Sequence, residues 1–127
     1  MGAVLVDQKN FVEAEGVTRK GLDLDPASWA GHYYLGSALL GMNRLAEAEN
    51  SVLEALRRKT DSIEALRLLV DIHAHERNYG AMLKDLEEYL KLDPDSPTSV
   101  KARALLETVQ RILLESQSAT ALEQPQF

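Results

Sequence analysis

A five-residue stop signal occurs twice in this chain, and its spacing dictates the architecture. Leu22-Asp23-Leu24-Asp25-Pro26 returns as Leu90-Lys91-Leu92-Asp93-Pro94. The interval from Pro26 to Pro94 is twice 34, so a middle copy has to lie between them. It does: Leu35-Gly36 maps onto Leu69-Val70, Leu39 onto His73, Leu45 onto Tyr79, Ala48 onto Met82, Val52 onto Leu86, Ala55 onto Tyr89 and Leu56 onto Leu90. The middle copy ends at Thr60, where the other two carry proline. Self-similarity at a fixed period means one small unit repeated, each copy burying its apolar face on the next.

The run Tyr34-Leu35-Gly36-x2-Leu39, followed by Ala48, Val52 and Ala55, resembles the tetratricopeptide repeat family, whose pattern is Leu-Gly-x2-Tyr and then Ala, Phe, Ala. The period of 34 is also that family's. The resemblance covers nearly the whole chain, with complete units at 29–62 and 63–96. His32 and Leu66 replace the family's aromatic at the fourth position, and Trp29 sits three residues early. The resemblance implies an all-α fold, a right-handed superhelical solenoid of antiparallel helix pairs with a C-terminal capping helix. In that register a single domain spans 1–116, made of a partial repeat 1–28, the two full repeats and a capping helix 97–116. Residues 117–127 have no periodicity and contain Pro125, which predicts a disordered tail.

Local chemistry sets the helix limits. Pro26 disfavours helical geometry at Asp25, and Ser28 is suited to cap the next helix. Gly41-Met42-Asn43 breaks the first hairpin and Asn78 the second. Asp61 or Ser62 caps the following helix, and Pro97 suits the first turn of the last one. Seven helices are predicted, at about 2–8, 11–24, 28–41, 45–58, 62–76, 79–92 and 97–116. Gly36 and Ala48 are the small residues at which two backbones approach, while Val70 and Met82 take those places in the second unit and predict a wider or tilted pair. The chain starts inside a repeat: Phe11, Ala14 and Leu22 fit a second helix, but only Ala3 to Val6 remain of the first. That predicts either a longer parent array or some other cover for this end. On the last helix, Ala102, Leu105, Leu106, Val109, Ile112 and Leu113 fall on one stripe opposite Arg103, Glu107, Gln110, Arg111 and Glu115, as a solvated terminal helix requires.

Composition narrows the function. A net charge of −6 opposes a nucleic-acid partner, since phosphate binding needs a cationic surface. The basic run Arg57-Arg58-Lys59 has flanking carboxylates and reads as a solvated helix end. With no cysteine, disulfides, thiol catalysis and cysteine-ligated zinc are excluded. No apolar run approaches the roughly 20 residues of a membrane span, and Met1 to Lys9 lacks the pattern of a signal peptide, so no membrane insertion and a cytoplasmic setting are the defaults. His73-x-His75 does not make a ligand pair, because residues two apart on a helix point about 200° apart. His32 and His73 instead fall at interior positions, as half-buried histidines with hydrogen-bond partners. Glu87-Glu88 and Asp93-x-Asp95 belong to a helix surface and a turn, and no nucleophile motif or phosphate-cradling loop occurs. No metal, no cofactor and no enzyme activity are expected.

The resemblance implies that the first helix of each pair lines a concave face, the family's usual peptide site. The positions there are Tyr33, Ser37 and Leu40 with Ala30 and Gly41, then Glu64, Arg67, Asp71 and His75 with Ala74, then Thr98 and Lys101. The chain is thus expected to be a scaffold for a protein or peptide partner. Tyr33 is an amphipathic anchor of the kind enriched at hot spots, and Glu64, Arg67 and Asp71 give mixed charge to orient a peptide. Some family members grip the C-terminal carboxylate of heat-shock chaperones with Lys, Asn and Arg. That cluster is not reproduced here, where only Arg67 and Lys101 are available and Glu64 and Asp71 repel a carboxylate. The alternative is a structural segment that forms a weak homodimer through its open N-terminal edge, where Val4, Leu5 and Val6 have little to cover them.

Overall fold

Each unit restarts on a serine. Ser28 accepts the backbone N–H of Gly31 at 3.0 Å, Ser62 that of Ala65 at 3.2 Å, and Ser96 that of Ser99 at 3.2 Å. Successive serines stand one repeat period apart, so the same cap satisfies an orphan N–H at the head of α2 (Trp29–Gly41), α4 (Ile63–His75) and α6 (Pro97–Glu123). α1 (Gln8–Leu24), α3 (Leu45–Arg58) and α5 (Tyr79–Leu92) alternate with them. This computed structural model describes the backbone of residues 8–123 and the side chains of residues 10–117.

Six helices and no strand occur among the described residues. The helix expected at 2–8, with Ala3 to Val6 of the half hairpin, lies outside them apart from Gln8, which opens α1. α6 continues past the expected end at 116 to Glu123. Gln117-Ser118-Ala119-Thr120-Ala121-Leu122-Glu123 lacks an apolar stripe, but it holds no breaker before Pro125 and is rich in good helix formers. Residues 124–127, the rest of the expected tail, lie outside the description.

Both hairpin turns pass through the left-handed backbone region, at Asn43 with φ 60° and at Arg77 with φ 56°. The second break is therefore Arg77, and Asn78 instead caps α5 by accepting from the N–H of Ala81 at 3.2 Å. Of the two candidate caps before α4, Ser62 takes the role.

Small residues permit the close approach of α2 and α3. A Cβ on Gly36 would stand 2.5 Å from Val52 Cγ2 and 3.3 Å from the Ala48 carbonyl oxygen, and both Ala48 and Val52 are 0 % exposed. At the corresponding seam of the second unit, Val70 and Met82 are both buried. On the other side of α2, the Phe11 ring lies where a Cβ on Gly41 would be, which seats α1 on the end of α2. Arg44 adds a polar tie there, with Nη1 3.0 Å from Glu15 Oε1 and Nε 2.6 Å from Glu47 Oε2.

Two apolar clusters run through the stack. Leu35, Leu39, Val52, Leu68, Leu69 and Ile72 join α2, α3 and α4, whereas Leu66, Val70, Met82, Leu86, Tyr89 and Val109 join α4, α5 and α6. α4 belongs to both, and Leu56 packs against both. Each helix packs on the next in chain order, and α2 also touches α4. The result is an all-α, right-handed solenoid of antiparallel helix pairs, closed by α6. Arg103, Glu107, Gln110, Arg111 and Glu115 form the exposed side of that last helix.

The corners differ in chemistry. At the last one, Tyr89 Oη and Ser96 Oγ both donate to Asp93 Oδ2, at 2.5 and 2.6 Å, and these bonds, that of Ser96 first, hold the Asp93 carboxyl below its usual range. In the middle copy Lys59 replaces the aspartate, and its Nζ sits 4.5 Å above the centre of the Trp29 ring. Just before it, Arg57 and Arg58 both pair with Glu54, at 2.5 and 3.1 Å. No helix among the described residues is long and apolar enough to cross a membrane.

Candidate peptide-binding groove

Glu64, Arg67 and Asp71 project from one side of α4, since residues three and four apart on a helix share a face. With Tyr33 of α2 and Leu68 they line a cavity of about 130 Å³. Arg67 and Asp71 also edge a second cavity of about 210 Å³, whose opposite rim is Thr98 and Lys101 of α6. Its floor is apolar: Val70, Leu86, Tyr89, Ala102 and Leu105. The two hollows therefore adjoin, and together they run from Tyr33 to Lys101.

Tyr33 is held by other rings, with its centroid 6.3 Å from that of Trp29 and 5.3 Å edge-on from that of Tyr34. It is half-buried against the first apolar cluster. Desolvation lifts the Asp71 carboxyl above its ordinary pKa, opposed by the charges of His75 and Arg67.

Six of the predicted positions thus come together: Tyr33, Glu64, Arg67, Asp71, Thr98 and Lys101. Ser37, Leu40 and His75 do not. Ser37 lines a separate hollow of about 500 Å³ with Phe11, Ala14 and Val17 of α1. Leu40 packs on the first apolar cluster. His75 is exposed and lines neither groove cavity, its Nδ1–H donating to the Asp71 carbonyl oxygen at 2.8 Å. The floor residues were not foreseen, because by helical period Val70, Leu86 and Ala102 are indistinguishable from closed core.

A second polar cluster lies around His73, which is buried. Its Nδ1–H donates to Asp85 Oδ2 at 2.5 Å, and its Nε2 lies 3.4 Å from Glu49 Oε2. Burial lowers the His73 pKa, but the hydrogen bond and charge of Asp85, joined by Glu49, outweigh it and hold the imidazole above its ordinary value. Burial pushes Asp85 up against the pull of His73. Burial and then the Glu49 charge raise Glu76 as well. His32, the other interior histidine expected, is half-buried with Nε2–H donating to the Pro26 carbonyl oxygen at 2.9 Å.

Serine-capped helix pairs recurring at one fixed period, stacked by shared apolar faces, define a helical-repeat domain. The sequence profile of the Tetratricopeptide repeat matches residues 1–63 and again 35–97, and the chain belongs to that family. No curated protein is close enough in sequence to count as a relative. Among solved structures, the first tetratricopeptide domain of Spaghetti (RPAP3), bound to the HSP90 peptide SRMEEVD, superposes with a TM-score of 0.73 at 22 % identity, over 84 % of this chain and 85 % of its own. The first such domain of human RPAP3 gives 0.75 at 22 % identity, over 87 % and 85 %. The second human RPAP3 domain, in complex with the HSP70 peptide SGPTIEEVD, gives 0.69 at 17 % identity, over 81 % and 83 %. At these identities the likeness establishes the fold.

Proposed function

We propose that the chain is a peptide-binding scaffold that uses the face between α2, α4 and α6. The observation that carries this reading is the shared edge of the two cavities at Arg67 and Asp71, which makes one groove with charged walls and an apolar floor. An extended peptide fits it with an apolar side chain over Leu86 and Leu105, an acidic group toward Arg67 and Lys101, and a basic group toward Glu64 and Asp71. The solved neighbours that hold chaperone peptides support the same general use of the fold. The chaperone termini themselves suit this groove poorly, because Glu64 and Asp71 oppose a run of acidic residues.

The test is a peptide array probed with the wild-type chain and with the double variant Tyr33→Ala, Arg67→Ala. Loss of the wild-type signals, with unchanged helicity, supports the groove. Signals that persist move the site elsewhere.

One observation favours a second reading, self-association at the N-terminal edge. The hollow of about 500 Å³ between α1 and α2 is flanked by Val17, 73 % exposed, and Tyr34, 60 % exposed. Ala14 stands one repeat period before the fully covered Ala48, yet is itself exposed. A helix of a second copy laid there would give a weak homodimer. Val4, Leu5 and Val6, expected at that edge, lie outside the described residues. Light scattering over a concentration series decides it: a monomer throughout rejects the reading.

A further inference from the structure

We propose that Glu49, His73 and Glu76 form a site for a single divalent cation of the zinc type, with Asp85 as the residue that positions the histidine. Each of the three offers one ligand atom, and these atoms lie within 4.8 Å of one another. Glu49 comes from α3, His73 from the last turn of α4, Glu76 from the cap that follows, and Asp85 from α5. The pair His73-x-His75 is not involved: the ligands come from the neighbouring helix and the helix end.

The hydrogen bonding orients His73 for this role. Its side chain is 6 % exposed, and Asp85 accepts a hydrogen bond from Nδ1–H, which leaves Nε2 facing Glu49. A carboxylate behind one ring nitrogen and a metal before the other is the usual way an imidazole ligand is held and made more basic.

The spacing points the same way. At 3.4 Å, Nε2 and Glu49 Oε2 are farther apart than the roughly 2.7–2.9 Å of a charge-assisted hydrogen bond. They match the edge of a tetrahedron, about 3.4 Å when each ligand atom lies about 2.0–2.1 Å from zinc.

Charge supplies the third argument. Glu49, Glu76 and Asp85 converge on one imidazole, and among the described residues no lysine or arginine pairs with any of them. A divalent ion relieves that repulsion. One nitrogen and two carboxylates suit a borderline ion such as Zn²⁺ or Co²⁺ and fall short of the oxygen shell that Ca²⁺ demands. Three protein ligands leave a fourth vertex for water, and the partly exposed Glu49 gives the ion a way in. Bound there, the ion would staple the first full repeat to the second.

The experiment titrates chelator-treated chain with Zn²⁺ alone at about pH 7.5, where ligand protons compete little. One ion per chain by calorimetry, a higher melting temperature, and the strong visible absorption of four-coordinate Co²⁺ on substitution are the expected results. Glu76→Gln, at a half-buried helix end, keeps its helicity and loses binding. Asp85→Asn weakens binding by about 10–100-fold. His75→Gln leaves it unchanged. Absence of a Zn²⁺ response overturns the proposal, as does binding that survives both Glu49→Gln and Glu76→Gln. A melting temperature that moves with pH but ignores Zn²⁺ assigns the cluster to a shared proton and overturns it equally.

Discussion

Asn43 and Arg77 occupy the same place in successive hairpin turns, one repeat period apart, and both adopt a left-handed backbone, at φ 60° and 56°. Asparagine tolerates that conformation, whereas arginine carries a Cβ clash worth roughly 1–2 kcal/mol. Arg77→Gly is therefore expected to raise the unfolding free energy by about 0.5–1 kcal/mol, the relief being partly offset by the looser unfolded chain. Urea denaturation of the two proteins measures it. A destabilised glycine variant would show that the Arg77 side chain has a role of its own.

The seam at Gly36 leaves no spare volume. Ala48→Leu is expected to overpack it and to lower stability by about 1–3 kcal/mol. A melting temperature equal to wild type would mean that α2 and α3 do not meet as described.

Ser62 and Ser28 perform the same capping task in different surroundings. Ser62 is buried while Ser28 is half-buried, so Ser62→Ala should fall toward the upper end of the roughly 0.5–2 kcal/mol for a lost cap and Ser28→Ala lower. Equal losses would separate capping from burial.

The Asp93 corner gives a dependence on acid. Its carboxyl is depressed by Ser96 and Tyr89, so its contribution is present above the ordinary carboxylate pKa, near pH 4, and is lost as pH falls through the lower folded value. Tyr89→Phe should consequently lower the melting temperature more at neutral pH than at about pH 3. Thermal scans at several pH values test this, and a gap that does not narrow in acid would assign the loss to packing.

Leu105 is 37 % exposed at the floor of the groove. Leu105→Glu is expected to leave helicity unchanged while reducing the affinity of any array-selected peptide at least about tenfold, since a carboxylate would have to be desolvated beneath the ligand. Undiminished affinity in fluorescence anisotropy would remove that cavity from the site.

The repeat made most of the fold legible. A helix stop copied at a fixed interval sets the frame for the repeated helices, and the limits of α3 and α5 agree with those predicted to the residue. The small pair Gly36 and Ala48 was visible for the same reason. Arg77 was hidden because arginine is no turn former; only its place one period after Asn43 signals it. The extension of α6 was hidden because periodicity reports packing, whereas a helix can continue on propensity alone.

The groove was half legible. Register assigns Tyr33, Glu64, Arg67, Asp71 and Lys101 to first-in-pair helices, and they do adjoin. Register does not show which neighbour is in place, so it groups Ser37 with them although that residue faces α1. The His73 cluster was least legible, since Glu49 and Asp85 reach it from two other helices and leave no local pattern.

α4 is clamped by apolar clusters on both flanks, and it also carries Arg67, Asp71 and His73. Loosening at α1 or at the far end of α6 would have to propagate through an intact neighbour before it displaced any of these side chains. These three side chains are thereby insulated from both ends of the stack, and changes beyond those flanks should leave their mutual arrangement in place.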